Sequence, residues 1–494
     1  MSAHALPRPG FPPPPLPHRE PRRAPWVQLF IVFLLGCQLA LLSGGIGEAR
    51  MFVRMAAFGG SLALLVLLRG RGSAHPSSLA AGAVLLLLGL AVFHPDTVGP
   101  VAGTAHAALY AAVLAPLFWV PRLDLDVKVI RQAALILWAF HTLSALVGVL
   151  QVYFPGQLQP ALSAIVAAKG KGYLQTLMIT TAGGVKVFRP MGLTDVPGGA
   201  AISGLYAVLF GTGFFLTRRK PLMLAASTGS MAVGMMVLYL SQVRAVLVMT
   251  AVVVLVVAGL LAWRRDAARL LTLVTAVAVV ALGGYAAAMS LAGPSVSRRM
   301  ATLMRDRPGA VYYSERGHFF EEAFTKTLPR APLGSGLGRW GMIATYFGSG
   351  ERPADPFAPS TDVWVEIQWA GWIVDGGAPL LLAYLLALAL ALALAWRVAR
   401  SPAPRGSPEL PFWGVVVLAH GIGALALTFS YPIFLSQAGM EFWLLNAALF
   451  AAARHARRRA AGLAAAEAEA RAAEPAPAPA PGPRKLVAPA IFGR

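Results

Sequence analysis

The chain has 494 residues, of which 57% are hydrophobic and 13% are charged, and its formal net charge is +21. A soluble domain contains about a quarter charged residues, so this composition excludes a water-soluble fold and indicates an all-α protein of the lipid bilayer. The single cysteine, Cys37, lies in an apolar run, which excludes a disulfide framework and a cysteine-based metal site.

The chain begins with a proline-rich, basic leader at residues 1–26, which is predicted to be cytoplasmic. The apolar segment after it is long and lacks a small-residue cleavage site, so a removed signal peptide is not expected. A membrane-spanning helix needs roughly 20 mostly apolar residues. Twelve segments fit and predict a polytopic bundle, with nine spans in residues 27–292 and three in 376–453: they lie at 27–46, 51–68, 77–93, 102–121, 133–153, 198–217, 221–240, 245–263, 269–292, 376–396, 411–430 and 433–453.

Basic residues are unevenly distributed between the two sets of connections in this bundle. With the N-terminus inside, every inside connection holds at least two, and this set contains more than half of the 42 basic residues. Cytoplasmic connections of membrane proteins carry such an excess, so both termini are predicted to be cytoplasmic. Topology then explains the net charge, and no nucleic-acid partner is expected. The basic tail at 454–494 is rich in Ala and Pro, which predicts disorder after a short helix.

Two outside connections are much longer than the others, at residues 154–197 and 293–375. Long connections tend to carry function, and these two hold a concentration of cations that the topology does not require. Within the second, SVSRRMATLMRDR predicts a basic amphipathic helix in the headgroup plane. Apolar residues then recur at helical spacing over 318–328, with Ser314 as the expected N-cap and Pro329 as the stop. This connection is therefore predicted to be a large, partly helical loop.

The segment APLGSGLGRWG at 331–341 contains the pattern G-x-G-x-x-G. That pattern indicates a dinucleotide site only where it follows a strand and opens a helix. Here it follows a predicted helix outside the membrane, so no dinucleotide site is expected. Gly336 and Gly338 either give a tight backbone path whose N–H groups face an anion, or simply end the helix and reverse the chain.

Three arginines lie where predicted outer connections meet membrane helices. Arg244 opens one predicted helix, Arg189 precedes another, and Arg316 lies in the second long loop. Guanidinium groups bind phosphates through paired N–H donors, so three that converge would form a phosphate or pyrophosphate site. Singly, each is also explained as a side chain that extends to the membrane interface.

Four motifs follow one another in an order typical of one family of membrane enzymes. They are FRPMGLTDVPGG at 188–199, SQVRA at 241–245, SERGHFFEEAFTKTLPRAPLGSGLG at 314–338 and STDVWVEIQWAGWI at 360–373. With this order and spacing, residues 180–455 resemble the O-antigen ligase and O-antigen polymerase family of bacterial polytopic membrane glycosyltransferases. The first five predicted helices match that family only in number and character.

The resemblance implies transfer of a glycan from a polyprenyl-pyrophosphate-linked donor to a glycan acceptor, on the periplasmic face of the bacterial inner membrane. It assigns the pyrophosphate to Arg189, Arg244 and Arg316, with Gly336 and Gly338 beside them. It implies no cofactor and no metal. The bilayer is a further partner, and proteins that set polysaccharide chain length or export the polymer are candidate partners.

The end of the long loop departs from the pattern of the family's ligases. These show a histidine before the helix that follows the loop, whereas this chain has Ser360-Thr361-Asp362. The candidate catalytic base is therefore Asp362 or, one turn on, Glu366, with His318 and Glu315 as weaker candidates. Glu315 also fits, with its neighbours Glu321 and Glu322, the solvated face of the loop helix. Within the resemblance, a carboxylate here favours a polymerase of O-antigen or exopolysaccharide repeat units over a ligase.

A transporter or flippase of lipid-linked sugars is the competing class, because it would also have about twelve helices and many basic residues. Such transporters place charges near the membrane midplane and show internal repeats. No repeat relates residues 27–240 to 245–453, and the polar residues gather at one face of the bundle. The sequence therefore favours an enzyme.

Overall fold

The computed structural model describes residues 25–43, 49–70, 72–154, 156–162, 164–167, 170–217, 220–305, 307–347, 363 and 365–473. Nearly all of the predicted leader, the last 21 residues of the predicted tail, and Asp362 lie outside the described residues. The fold is helical apart from one two-stranded antiparallel hairpin, in which β1 (Met178–Thr180) pairs with β2 (Lys186–Phe188).

The first ten helices precede the middle of the chain and are joined by short turns, except across 154–199. They are α1 (Trp26–Ala40), α2 (Ala49–Leu67), α3 (Ser78–Ala91), α4 (Pro100–Leu114), α5 (Pro116–Trp119), α6 (Val127–Tyr153), α7 (Ala164–Ala167), α8 (Lys171–Thr176), α9 (Ala200–Thr217) and α10 (Pro221–Ser241). A 3₁₀ turn, Val120–Arg122, continues α5.

The other ten helices include five, α13 to α17, that lie within the second long loop. They are α11 (Arg244–Trp263), α12 (Ala267–Ala292), α13 (Pro294–Arg305), α14 (Pro308–Tyr312), α15 (His318–Glu322), α16 (Leu328–Arg330), α17 (Gly341–Phe347), α18 (Gln368–Arg400), α19 (Leu410–Leu427) and α20 (Gln437–Ala473). Two π-helical turns, Tyr313–Gly317 and Ala323–Thr327, join α14, α15 and α16, and a 3₁₀ turn at Ile433–Leu435 precedes α20.

Helices occur at all twelve positions where the sequence predicts spans. Among the described residues, eight are long and apolar enough to cross a membrane, and α4 with α5 adds a ninth if that bent pair is one span. The bend of 44° lies at Pro116, which cannot donate a helical hydrogen bond. Helices α1 and α3 have 15 and 14 residues, fewer than a full span requires. The chain is thus a multi-pass membrane protein with eight or nine spans by length and composition.

The connections of the bundle fall into two groups that do not mix. In one group, which we call the long-loop end, Val98 N–H donates to Leu337 O at 3.1 Å and Tyr312 OH donates to Phe429 O at 3.2 Å. At the other end, which we call the short-loop end, Arg264 donates to Ser401 O at 3.5 Å and Arg122 donates to Leu68 O at 2.7 Å. These contacts join connections that the sequence prediction assigns to the same side, and the side of the membrane on which each group lies stays a prediction.

The second long loop differs from its prediction in two places. The expected amphipathic helix is present as α13, with Val296 buried. The next helical stretch, however, begins at Pro308, and Ser314 lies inside it, where its hydroxyl donates to Val311 O at 3.0 Å. Proline favours the first turn of a helix, so Pro308 is the start signal and the N-cap prediction for Ser314 is wrong. The stretch also continues through Pro329 to Arg330.

The predicted start of the tenth span, at residue 376, coincides with a kink at Gly376 and Gly377. Helix α18 extends in front of this kink and begins at Gln368, which the sequence did not predict. Gly377 has φ +61°, and a Cβ built on it would lie 2.0 Å from Pro332 O. The glycines therefore mark a place where the loop packs directly on the helix backbone, and the first two turns of α18 precede it.

Candidate functional site

Arg189 directly follows the second strand of the hairpin, and both its backbone and its side chain donate hydrogen bonds to the segment before the first strand. Its N–H donates to Leu177 O at 2.9 Å, and its side-chain Nη2 donates to Thr176 O at 3.1 Å. The following turn is held by the buried Gln151 of α6, whose Oε1 accepts from the N–H groups of Met191 and Gly192 at 2.8 and 2.9 Å. The side chain of a membrane-helix residue thus positions the segment FRPMG by accepting hydrogen bonds from its backbone.

Arg244 is the first residue of α11 and is directed towards the second long loop. Gln242, two residues before it, has φ +55°, which ends α10 and turns the chain sharply. The Arg244 side chain is only 10% exposed; Nη1 donates to Thr302 Oγ1 of α13 at 2.8 Å, and Nη2 forms an ion pair with Glu315. One guanidinium therefore joins a membrane helix to two parts of the loop.

A further arginine, Arg299 of α13, belongs to this site and was not predicted. It lies on the same helical face as Thr302, and its Nη2 is 3.9 Å from Glu315 Oε1. The tandem Arg298-Arg299 was interpreted only as part of an interfacial helix. Arg298 and Arg299 are adjacent and therefore lie on different faces of α13, and the sequence does not tell which face meets Arg244.

Electrostatic coupling shows how close these groups are. Burial lowers the pKa of Arg189, Arg299 and Arg244 lower it further, and Glu315 opposes them. Burial and Arg244 likewise lower the pKa of Arg299, again opposed by Glu315. The Nε atoms of Arg189 and Arg299 are buried and have no hydrogen-bond partner within the described part of the chain. We call Arg189, Arg244 and Arg299 the arginine cluster; it holds two unused buried donors around one carboxylate.

Arg316 lies next to this cluster and has its own carboxylate. Its Nη1 forms an ion pair with Glu366, which precedes α18, and the two side chains are 38% and 20% exposed. Burial lowers the pKa of Arg316, and the neighbouring Glu315 is the largest opposing influence. Of the three arginines predicted from sequence, Arg244 pairs with Glu315, Arg189 is influenced by the same carboxylate, and Arg316 pairs with Glu366 instead.

The candidate bases are placed differently from one another. Glu366 faces Arg316, as above, and Asp362 lies outside the described residues. His318 is one turn beyond Glu315; its Nδ1 lies 3.1 Å from Tyr313 O, which leaves Nε2 as the nitrogen that can accept a proton. Glu315 is half-exposed, as the solvated interpretation expects, but its carboxylate also pairs with Arg244. Glu322 pairs with Lys326 on the loop surface at 2.9 Å.

The glycine loop after α16 has a packing role. Gly338 N–H donates to His106 Nδ1 and Leu337 N–H to Thr97 Oγ1, both at 3.0 Å, while Ser335 N–H donates to Val374 O at 2.7 Å. These N–H groups therefore do not face an anion, which corrects that expectation for Gly338. Gly336 has φ +85°, and a Cβ on it would lie 2.5 Å from Thr97 N. The loop is a reversal pressed against the connection between α3 and α4.

A buried polar group fixes the same loop to the bundle. Asp375 of α18 is fully buried and accepts from Tyr110 OH at 2.7 Å and from Trp340 Nε1 at 2.8 Å. His106 Nε2 lies 3.6 Å from the same carboxylate. Because His106 Nδ1 accepts from Gly338 N–H, its proton is on Nε2, directed towards Asp375. The network satisfies the buried carboxylate and anchors both ends of the segment 338–340.

Replacing Arg299 with glutamine is expected to weaken anion binding at the arginine cluster strongly, and replacing Arg298 is not. Arg299 faces Glu315 and the cluster, whereas Arg298 is exposed and its Nε donates to Pro294 O at 3.3 Å. Loss of one preorganised cation at an anion site costs about 3 kcal/mol, or roughly a hundredfold in affinity. Titration of inorganic pyrophosphate into equal amounts of each purified variant measures this. Equal losses in both variants would show that α13 serves the site only through its general charge.

No model of a known protein family matches the chain, and no curated protein is significantly similar to it. The motifs and the geometry of the long-loop end are therefore the basis for assigning a function. Their common element is a set of guanidinium groups at the boundary of a membrane bundle. Guanidinium groups in such a set can donate paired hydrogen bonds to a phosphate.

Proposed function

We propose that the protein transfers a glycan from a polyprenyl-pyrophosphate carrier to an acceptor hydroxyl, as a polymerase of O-antigen or exopolysaccharide repeat units. The observation that carries this proposal is the arginine cluster with Arg316 beside it, at the boundary between membrane helices and the long loops. Four guanidinium groups and the two carboxylates of Glu315 and Glu366 leave a charge of about +2, which matches the two negative charges of a pyrophosphate diester. The sidedness of the basic residues supports, as part of this proposal, a long-loop end in the bacterial periplasm, a protein in the inner membrane and two cytoplasmic termini.

The reaction is a single displacement at the anomeric carbon of the donor. The bond from that carbon to the phosphate oxygen breaks, a bond to the acceptor oxygen forms, and the acceptor proton passes to a carboxylate. The lipid pyrophosphate leaves with the bonding electron pair, so negative charge grows where the guanidinium groups lie. Preorganised cations are the largest expected catalytic contribution, since they need no rearrangement as that charge develops.

The proton acceptor in this scheme is Glu366 or Asp362. Glu366 is 20% exposed and forms its ion pair with Arg316, so a donor phosphate that recruits Arg316 would release the Glu366 carboxylate beside the leaving group. Asp362 is four residues earlier, on the segment that leads to α18. His318 is a weaker candidate, because its free Nε2 lies on the loop surface. A ligase that transfers the glycan to a lipid acceptor would use the same groups.

One set of buried residues favours the competing class, a flippase of lipid-linked sugars. His420 Nε2 lies 3.0 Å from Tyr206 OH, and Gln437 donates to the buried Glu441 at 2.9 Å, all within membrane helices. Buried ionisable groups in spans often mark transport pathways. Transporters place such groups around a site in the middle of the bundle. Here His420 lies inside α19, whereas Glu441 lies one turn from the start of α20, so the set extends towards the long-loop end.

Analysis of surface and lipid-linked glycans in cells that lack the protein distinguishes these functions. For a polymerase, we expect polymer to vanish and single lipid-linked repeats to accumulate on the outer face of the membrane, with rescue by the wild-type chain. For a ligase, full-length lipid-linked polymer would accumulate there instead. Repeats retained on the inner face would establish a flippase, and unchanged glycans would refute glycan transfer.

Two variants expressed in the same cells, Glu366→Gln and Asp362→Asn, identify the catalytic base. The variant that fails to restore the glycan has lost the base.

A further inference from the structure

The Glu315 carboxylate occupies the place that an anionic ligand of the arginine cluster would take. It is paired with Arg244, lies 3.9 Å from Arg299, and influences Arg189 as well. The Arg244 guanidinium has Nη1 on Thr302 and Nη2 on Glu315, so its paired donors are already in use. A phosphate that binds this guanidinium through two donors must therefore remove Glu315 from Nη2.

Glu315 is also suited to leave. Its side chain is 51% exposed, whereas Arg244 is 10% exposed, so the cation is fixed and the anion borders solvent. It lies in the π-helical turn Tyr313–Gly317, a local irregularity that often accompanies functional sites. Without a carboxylate, the three guanidinium groups would repel one another at close range. Glu315 thus stabilises the empty cluster and competes for it.

We infer that Glu315 is a resident counter-anion of the arginine cluster, which the pyrophosphate of the donor displaces when it binds. This inference rests on the proposed function for the identity of the ligand, and on the contacts of Arg244 and Arg299 for the displacement. Glu315 holds the cluster in its binding arrangement between turnovers. It also excludes weaker anions, because a single phosphate gains less from the cluster than a pyrophosphate does and must displace the same carboxylate.

Pyrophosphate binding to the purified full-length protein tests this inference. The variants are Glu315→Gln and, as a matched control, Glu322→Gln, whose carboxylate pairs with Lys326 on the same loop away from the cluster. The probes are farnesyl pyrophosphate and inorganic phosphate, titrated by calorimetry in detergent without divalent ions. We expect Glu315→Gln to bind farnesyl pyrophosphate roughly five- to tenfold more tightly than the wild type, since an ion pair no longer has to be broken. Glu322→Gln should bind like the wild type.

Thermal unfolding gives a second, independent readout. Without ligand, Glu315→Gln should unfold at a lower temperature than the wild type, and farnesyl pyrophosphate should raise its unfolding temperature by more. Equal or weaker binding by Glu315→Gln overturns the inference, as does a wild type that binds neither probe. If Glu315→Gln does not fold, Glu315→Asp takes its place, because it has the same charge on a shorter side chain. It should bind farnesyl pyrophosphate more tightly than the wild type, by a smaller factor than is expected for Glu315→Gln.

The outcomes separate this inference from the proposed function. Tighter binding by Glu315→Gln together with unchanged glycans in the deletion cells would refute glycan transfer and leave the displaceable counter-anion in place. Loss of polymer in the deletion cells together with unchanged affinity in Glu315→Gln would refute the counter-anion alone. Inorganic phosphate that binds as tightly as farnesyl pyrophosphate would show that the site takes free phosphate, which would overturn displacement by a lipid-linked pyrophosphate.

Discussion

Replacing Arg244 with glutamine is expected to lower glycan transfer by roughly a hundredfold or more, without loss of the protein from the membrane. Arg244 is 10% exposed and Arg299 is 31% exposed, so Arg244 is the more buried of the two arginines that face Glu315. Its side chain joins α11 to α13 and to the π-helical turn that carries Glu315. Glutamine keeps an N–H donor on a shorter side chain but removes the charge that, in the proposed reaction, faces the departing pyrophosphate. Transfer from a lipid-linked donor in membranes of equal protein content measures the loss.

Two further variants make this result specific. Arg244→Lys keeps the charge but cannot present two donors in one plane, so its activity should lie between those of the wild type and Arg244→Gln. Arg400→Gln, an exposed residue at the short-loop end of α18, should transfer glycan at the wild-type rate. An Arg244→Gln protein with full activity would remove the arginine cluster from the reaction and leave the proposed function without its main support.

Replacing Gly336 with alanine is expected to destabilise the folded protein by about 3 kcal/mol or more, and replacing Gly341 by only about 1 kcal/mol. Both glycines have positive φ, +85° and +69°, so both substitutions strain the backbone. At Gly336 the new Cβ would also lie 2.5 Å from Thr97 N and 2.6 Å from Asp96 C, backbone atoms that cannot rotate away. At Gly341 nothing lies within 4 Å of it. Thermal unfolding of the two purified variants compares them directly.

The same pair decides between packing and anion binding for the glycine loop. If the loop only packs, Gly336→Ala should lose stability to the same extent with and without farnesyl pyrophosphate. If its backbone binds the pyrophosphate, Gly336→Ala should keep its stability and lose affinity for the probe instead. The hydrogen bonds from Leu337 and Gly338 to Thr97 and His106 favour the first result.

Much of the fold could be predicted because each membrane helix is encoded locally, by one run of apolar residues. The predictions fail where a residue type that is typical of a helix end serves a different structural role. The apolar run that starts at residue 376 predicts the helix from there, but α18 already begins at Gln368 and is kinked where Gly377 packs against Pro332. Ser314 has the chemistry of an N-cap, but Pro308 starts the helix earlier.

The site could be predicted only in part, for a related reason. Arg189, Arg244 and Arg316 are visible because each is an isolated cation next to an apolar segment. Arg299 was missed because it lies among other basic residues. Glu315 was named only as a weaker candidate base, and its pairing with arginines was not predicted. Which member of such a group faces inward depends on contacts between segments more than 50 residues apart, and neither composition nor helical period records them.

The composition of the arginine cluster also has a consequence for biogenesis. Arg189 follows the hairpin, Arg244 opens α11 and Arg299 lies on α13, while the carboxylate that they share, Glu315, lies in the π-helical turn. Arg244 is synthesised 71 residues before Glu315, so α11 is made with a charge at its end that has no acidic partner yet. A nascent chain stalled between Arg299 and Glu315 should therefore carry three guanidinium groups that no carboxylate yet holds together.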